Sequence, residues 1–148
     1  MNLGFKLKHR FLNAFRELFV HHHSSLEFRA KLFALIISAD ENAVIENYAL
    51  IKEIGLKLYN EDENRAELLM LSSKELVKKI KNNNGLDIDS LVLNIQKELK
   101  VIPRFAQKID VDILKKFLIL TSNNDTLAYQ ENILEFLQKI KDDTLNNH

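Results

Sequence analysis

The stretch LEFRAKLFALIISADENAVIENYALIKEI, residues 26–54, decides the fold. From Leu26 to Ser38 apolar side chains fall on every side of a helix: Phe28, Ala30, Leu32, Phe33, Ala34, Leu35, Ile36 and Ile37. A helix apolar all round has to be enclosed by others, so this one is expected at the centre of a helical bundle. Ala39-Asp40-Glu41 stops it. Beyond the stop, Val44, Tyr48, Ile51, Ile54 and Leu58 mark one face of a further helix.

Working outward, helical spacing recurs and two-residue alternation almost never appears. Upstream, Phe5, Leu12, Phe15 and Phe19 predict an amphipathic helix over 3–20, followed by a His21-His22-His23 break where Ser24 or Ser25 can cap the central helix. Downstream, Asn60 and Glu63 form an N-x-x-E box that opens a helix with the stripe Ala66, Leu69, Met70, Ser73, Val77, Ile80. The NNNG run at 82–85 reads as a glycine-terminated cap and turn. Asp87 or Asp89 then caps a helix with Leu91, Val92, Ile95, Leu99 and Ile102 inward, and Pro103 marks its boundary. Residues 110–121 are again densely apolar, and TSNND (121–125) stops them. A last helix carries Ile133, Leu134, Leu137 and Ile140, with a tail beyond Asp142 expected to fray. The expected fold is an all-α single-domain bundle of about seven helices with two central apolar helices, one in each half.

Length and composition agree. A chain of 148 residues is most simply one domain, burying roughly 70% of the surface it exposes when unfolded. It has no cysteine, so disulfide and thiolate chemistry are excluded, and a reducing, cytoplasmic setting is the default. Formal net charge is zero, which argues against nucleic acid as a partner. The balance is uneven: residues 1–32 carry Lys6, Lys8, Arg10, Arg16, Arg29 and Lys31 against Glu17 and Glu27, an excess of four (6 − 2). No run approaches the roughly 20 apolar residues of a membrane-spanning helix.

The two apolar helices end alike. FRAKLFALIISADENAVIENYALIKEI (28–54) and ILKKFLILTSNNDTLAYQENILEFLQKI (113–140) share the order apolar helix, small polar residue, acidic turn, amphipathic helix. A shift of 84 residues pairs Phe33 with Phe117, Leu35 with Ile119, Ile36 with Leu120 and Ser38 with Ser122; beyond the turn 83 fits better. A pseudo-repeat of helical hairpins is expected, with a one-residue ambiguity. In this organisation residues 26–141 resemble a TerB-like (tellurite-resistance) domain, the module also found ahead of the J domain in DjlA co-chaperones. That family's signature is an apolar helix running into Ala-Asp-Gly, then a Glu-Glu pair opening the next helix, in two copies. Here the first copy reads Ala39-Asp40-Glu41 with Glu46-Asn47, and the second Asn123-Asn124-Asp125 with Gln130-Glu131. Glu41 replaces the glycine, Asn47 replaces a glutamate, and the second aspartate is Asn124 unless Asp125 serves.

The resemblance implies a divalent cation, Ca²⁺ or Mg²⁺, at Asp40, Glu41, Glu46, Asn124, Asp125 and Glu131, and a role in stress or tellurite response. Such hard cations require several oxygen ligands in a small volume, which two acidic turns at one end of the bundle could provide. Capping explains the same residues without a metal, because Asp and Asn are ordinary turn and cap residues. No EF-hand spacing is present. His21, His22 and His23 splay by about 100° each on a helix and find no E-x-x-H partner, so a solvated loop is the better reading. The basic, Phe-rich segment 3–20 could lie on a membrane or dock on a partner, but packing on the bundle is preferred.

Catalysis finds no footing: no phosphate loop, nucleophile elbow or acid/base pair is recognisable. The expectation is a non-enzymatic binding or scaffold domain with a protein partner. A metal-free interaction module, DjlA-like without its J domain, is the alternative, with a peripheral membrane helix as a further one. No His-Pro-Asp tripeptide is present, so J-domain chemistry is not expected.

Overall fold

The description covers residues 24–147 of a computed structural model. The helix expected over 3–20, its membrane or partner contact, and the loop at His21-His22-His23 lie outside the described residues. Among those described, the protein is all-helical, with six α-helices, two 3-10 segments and one connected hydrophobic core.

Helix α1 (Ser24–Ser38) is the central element. Leu26, Phe28, Ala30 and every residue from Leu32 to Ile37 are buried. Helix α2 (Ile45–Leu58) follows, then α3 (Glu63–Lys81) and α4 (Ile88–Val101). α3 lies along both α1 and α2, while α4 packs on another side of α1. Close approach has a local cause at each contact. Ser72 and Ser73 are buried on α3 and return their hydroxyls to the carbonyls of Leu68 and Leu69, at 2.6 and 2.8 Å. Their short side chains thus satisfy themselves without holding a neighbour away. At the α2–α3 crossing, a Cβ on Gly55 would stand 2.9 Å from Ala66 Cα. Only glycine fits there.

The single charge buried on α1 is compensated by α4. Lys31 is 8% exposed, and its Nζ contacts the Glu98 carboxylate, Asn94 Oδ1 at 3.3 Å and Glu27 at 3.9 Å. A buried ammonium without such partners would cost several kcal/mol. Two residues earlier on α1, Arg29 meets Tyr59, whose ring lies between the guanidinium groups of Arg29 and Arg65, 5.7 and 5.0 Å from its centre.

Several boundaries differ from expectation. The cap of α3 is Asp62, which accepts from the Arg65 N–H at 3.1 Å. Asn60 instead sits with Glu61 in the left-handed region, φ 53 and 67, and α3 begins two residues later than the N-x-x-E box implies. The NNNG run ends α3 through Asn83 (φ 51), whose successor's N–H returns to Lys79 O at 2.9 Å; Gly85 only completes the turn. Asp87, not Asp89, caps α4, at 2.7 Å from the Ser90 N–H. The tail expected to fray is helical to Asn146, with Thr144 bonded back to Ile140 O.

After Pro103 the chain forms a 3-10 segment (Pro103–Lys108) that contributes to the core. Phe105 and Ala106 are buried, and Phe105 meets Phe28 with ring centres 5.2 Å apart. Helix α5 (Val111–Lys115) is short and tightens into a second 3-10 segment, Lys116–Leu120. The expected second central helix is therefore a shorter, half-exposed element. Tightening changes the period from 3.6 to three residues, so Leu114 and Phe117 share the buried side while Ile119 turns outward, 84% exposed. Phe117 packs on Phe33 of α1, centroid to centroid 5.5 Å. Helix α6 (Asn124–Asn146) closes the bundle against Pro103–Lys108, α5 and α4, burying Ile133, Leu134 and Leu137.

Candidate functional site: the paired turns

The connection 39–44 and the connection 121–123 meet at one end of the bundle. Asp40 is 6% exposed, and its Oδ1 accepts the Asn42 N–H at 2.9 Å. The turn therefore folds around its own aspartate. α2 begins later, at the N-cap Val44, with no side-chain cap. The expected role of the acidic turn as the cap of α2 is thus not what Asp40 performs. Asn47, buried in the first turn of α2, donates its Nδ2 to Val44 O at 3.2 Å instead.

Across from Asp40, Thr121 Oγ1 lies 2.9 Å from Gln130 Oε1 and 3.5 Å from Asp40 Oδ2. A hydroxyl has one proton, and the shorter, neutral contact to Gln130 takes it. Gln130 Nε2 in turn donates to Ile36 O at 3.0 Å, within the last turn of α1. A buried polar chain thus ties the end of α1 to the start of α6. Its effect on Asp40 is specific: Oδ2 is left the longer, 3.5 Å contact to the Thr121 hydroxyl and makes no ion pair with a Lys or Arg among the described residues. Ser38 Oγ, two residues earlier, is also buried and finds no partner among them.

The second turn copies the first in its hydrogen bonding. Asn123 Oδ1 accepts from the N–H groups of Asp125 and Thr126, at 2.8 and 3.1 Å, and so caps α6. Asp40 to Asn42 and Asn123 to Asp125 are the same local bond, 83 residues apart, and the same spacing relates buried Asn47 to buried Gln130. The helices that follow start at different distances from the turn, so the likeness is local.

The six residues assigned to a cation from the resemblance are brought to this end of the molecule only in part. Asp40 points inward, while Glu41, Glu46, Asn124, Asp125 and Glu131 are exposed. Glu46 lines a groove between α2 and residues 116–120. Glu131 lines a different cleft, of about 660 Å³, with Asp110, Glu135 and Lys141. No three Asp, Glu or His side chains converge as a metal set among the described residues. Of the six, Asp40 is the one that is buried.

Thr121 and Gln130 carry the junction, and the resemblance passed over both as ligands. Gln130 was open to discovery in the pattern: it stands three and four residues before Ile133 and Leu134, on the inward stripe. A polar side chain on that stripe needs a buried partner. Thr121 gave no comparable signal.

Comparison with family models, with curated proteins and with solved structures yields no match. None of the described helices is long and apolar enough to cross a membrane.

Proposed function

We propose that this chain is a non-enzymatic helical interaction module whose working surface is the end formed by the paired turns. The observation that carries the reading is the buried Thr121–Gln130–Ile36 link, which makes one surface of two turns 81 to 85 residues apart. Glu41, Glu46 and Asp125 of these turns are exposed, and so are Val44 and Ile45, at 43% and 82%. Acidic groups together with an uncovered isoleucine suit a partner segment that is basic and apolar. The TerB-like resemblance belongs to this proposal, and with it the link to a stress or tellurite response, because both rest on the two turns and the helices that hold them.

Affinity capture with the wild-type chain, Ile45→Glu and a Glu41→Lys/Glu46→Lys variant tests it. Both variants should lose the captured partner while melting at the wild-type temperature, and a chelator should change nothing. Capture that survives both substitutions would remove the proposed surface.

A divalent cation at the turns is the second reading, and the observation favouring it is buried Asp40, whose Oδ2 has only the long Thr121 contact. Calorimetric titration of Ca²⁺ and Mg²⁺ into chelator-treated protein decides it: heat that disappears in Asp40→Asn supports a cation, and a flat trace with an unshifted melting temperature ends the idea.

A further inference from the structure

Helix α2 and the 3-10 segment Lys116–Leu120 touch, and an open groove of about 520 Å³ lies over their junction. Glu46, Ala49, Leu50 and Glu53 form its α2 wall, spaced i, i+3, i+4 and i+7 so that they share one helix face. That wall is acidic at both ends and apolar between them. Lys116 and Ile119 stand on the opposite wall. They are three residues apart, and the 3-10 turn sets such residues on one side. Ile119 is 84% exposed, so this wall carries a projecting aliphatic side chain beside a positive charge. The charges of the groove are unanswered from within. Lys52 pairs with Glu67 and Lys115 with Asp112, but Glu46, Glu53 and Lys116 form no ion pair among the described residues.

The two walls are complements of each other. One offers a hollow of Ala49 and Leu50 between carboxylates, and the other a protruding isoleucine next to an ammonium. A two-fold axis running along the groove lays each wall on the opposite wall of a second copy, whereas an axis across it would set like on like. With the axis along the groove, both contacts occur twice. A foreign segment would have to carry an anion for Lys116 and a cation for the α2 wall in the same spacing; a second copy has both by symmetry. We propose that this groove is the contact surface of a two-fold dimer of the chain, with Ile119 of each copy seated on Ala49 and Leu50 of the other and Lys116 between Glu46 and Glu53. The dimer does not depend on the partner surface at the paired turns. Glu46 belongs to both, so it is left unchanged in the test.

Sedimentation equilibrium of the full chain over a range of concentrations tests the proposal. Wild type should shift from monomer to dimer mass as concentration rises, and Ile119→Asp should stay monomeric over the same range. Lys116→Glu should weaken self-association by about tenfold or more, because it turns two attractive contacts repulsive. Glu53→Lys should weaken it by less, since Glu46 remains. Mixed in equal amounts, these two charge variants should associate more tightly than either does alone, as a dimer of one copy each. Glu53, Lys116 and Ile119 are exposed, so all three variants should melt as dilute wild type does. Wild type that stays monomeric at every concentration overturns the proposal. A dimer indifferent to the charge reversals overturns it as well, as does a mixture that associates no better than its components. None of these outcomes alters the capture result for Glu41→Lys/Glu46→Lys, so the two readings fail separately.

Discussion

Asp40 shows how much of one residue's role depends on a partner far along the chain. Its Oδ1 is held by the Asn42 N–H and its Oδ2 is left by Thr121, which gives its proton to Gln130. An amide of the same shape keeps the first bond and can turn its NH₂ toward Thr121, removing a buried charge at the same time. Asp40→Asn should therefore change unfolding free energy by less than about 0.5 kcal/mol, or increase it, whereas Asp40→Ala should lose about 1–2 kcal/mol with the turn's bond. Urea denaturation of the two variants reads the difference. Gly55 is a second residue whose place is set by a neighbour rather than by local preference. In an isolated helix Gly→Ala would stabilise by about 1 kcal/mol. Here the added Cβ meets the backbone of Ala66, so Gly55→Ala should instead destabilise by about 1–3 kcal/mol through overpacking.

At the scale of elements, the caps do the specifying. Asn123 accepts two N–H groups at the start of α6, the helix that also carries Gln130. Asn123→Ala should cost about 1 kcal/mol by denaturation, and Asn123→Asp should recover most of it, since Asp caps as well and adds a favourable charge at the helix N-terminus. The elements themselves were largely legible in sequence. The central helix followed from Leu26–Ser38 being apolar on all sides, and α3, α4 and α6 from stripes that the structure buries. What misled was density of apolar residues without attention to period. Residues 110–121 look like a second core helix, yet with a switch to 3-10 geometry after Lys115 only Leu114 and Phe117 of 111–120 are fully buried, while Ile113 and Leu118 pack at the edge of the core. The segment 103–109 gives no clear sequence signal, because its buried Phe105, Ala106 and Ile109 span too short a run to establish an α-helical spacing. Of the site, the sequence showed where the two turns are but not what joins them. The joining groups are Thr121 and Gln130, neither of them acidic, and a search for carboxylates could not single them out.

For the whole molecule, the balance of charge is decided on one face of α1. Burial pushes the Glu27 carboxyl above its ordinary pKa; Lys31 opposes this and Glu98 reinforces it. The native carboxyl thus holds its proton more firmly than the unfolded one. Its contribution to stability is present below the ordinary carboxylate pKa and fades as pH rises through the elevated value. Glu27→Gln should accordingly melt higher than wild type at pH 7, with the gap closing on acidification; a gap that widens at low pH would contradict the burial argument. Glu98→Ala does the reverse, leaving the Lys31 ammonium buried on the central helix with only Asn94 and the more distant Glu27 to answer it.

The same molecule-wide logic applies to the paired turns, since a junction between residues 36, 121 and 130 couples the first half of the chain to the second. Gln130→Leu keeps the volume but removes both of its hydrogen bonds. The measurement that tests the account most directly is the map of backbone amide chemical-shift changes that this substitution produces. The junction predicts changes in both turns: around Thr121–Thr126, and equally across Ile37–Glu46, 84 to 93 residues before Gln130 in sequence (130 − 46 and 130 − 37). Changes confined to the neighbourhood of residue 130 and the start of α6, with Ile37–Glu46 unmoved, would contradict it.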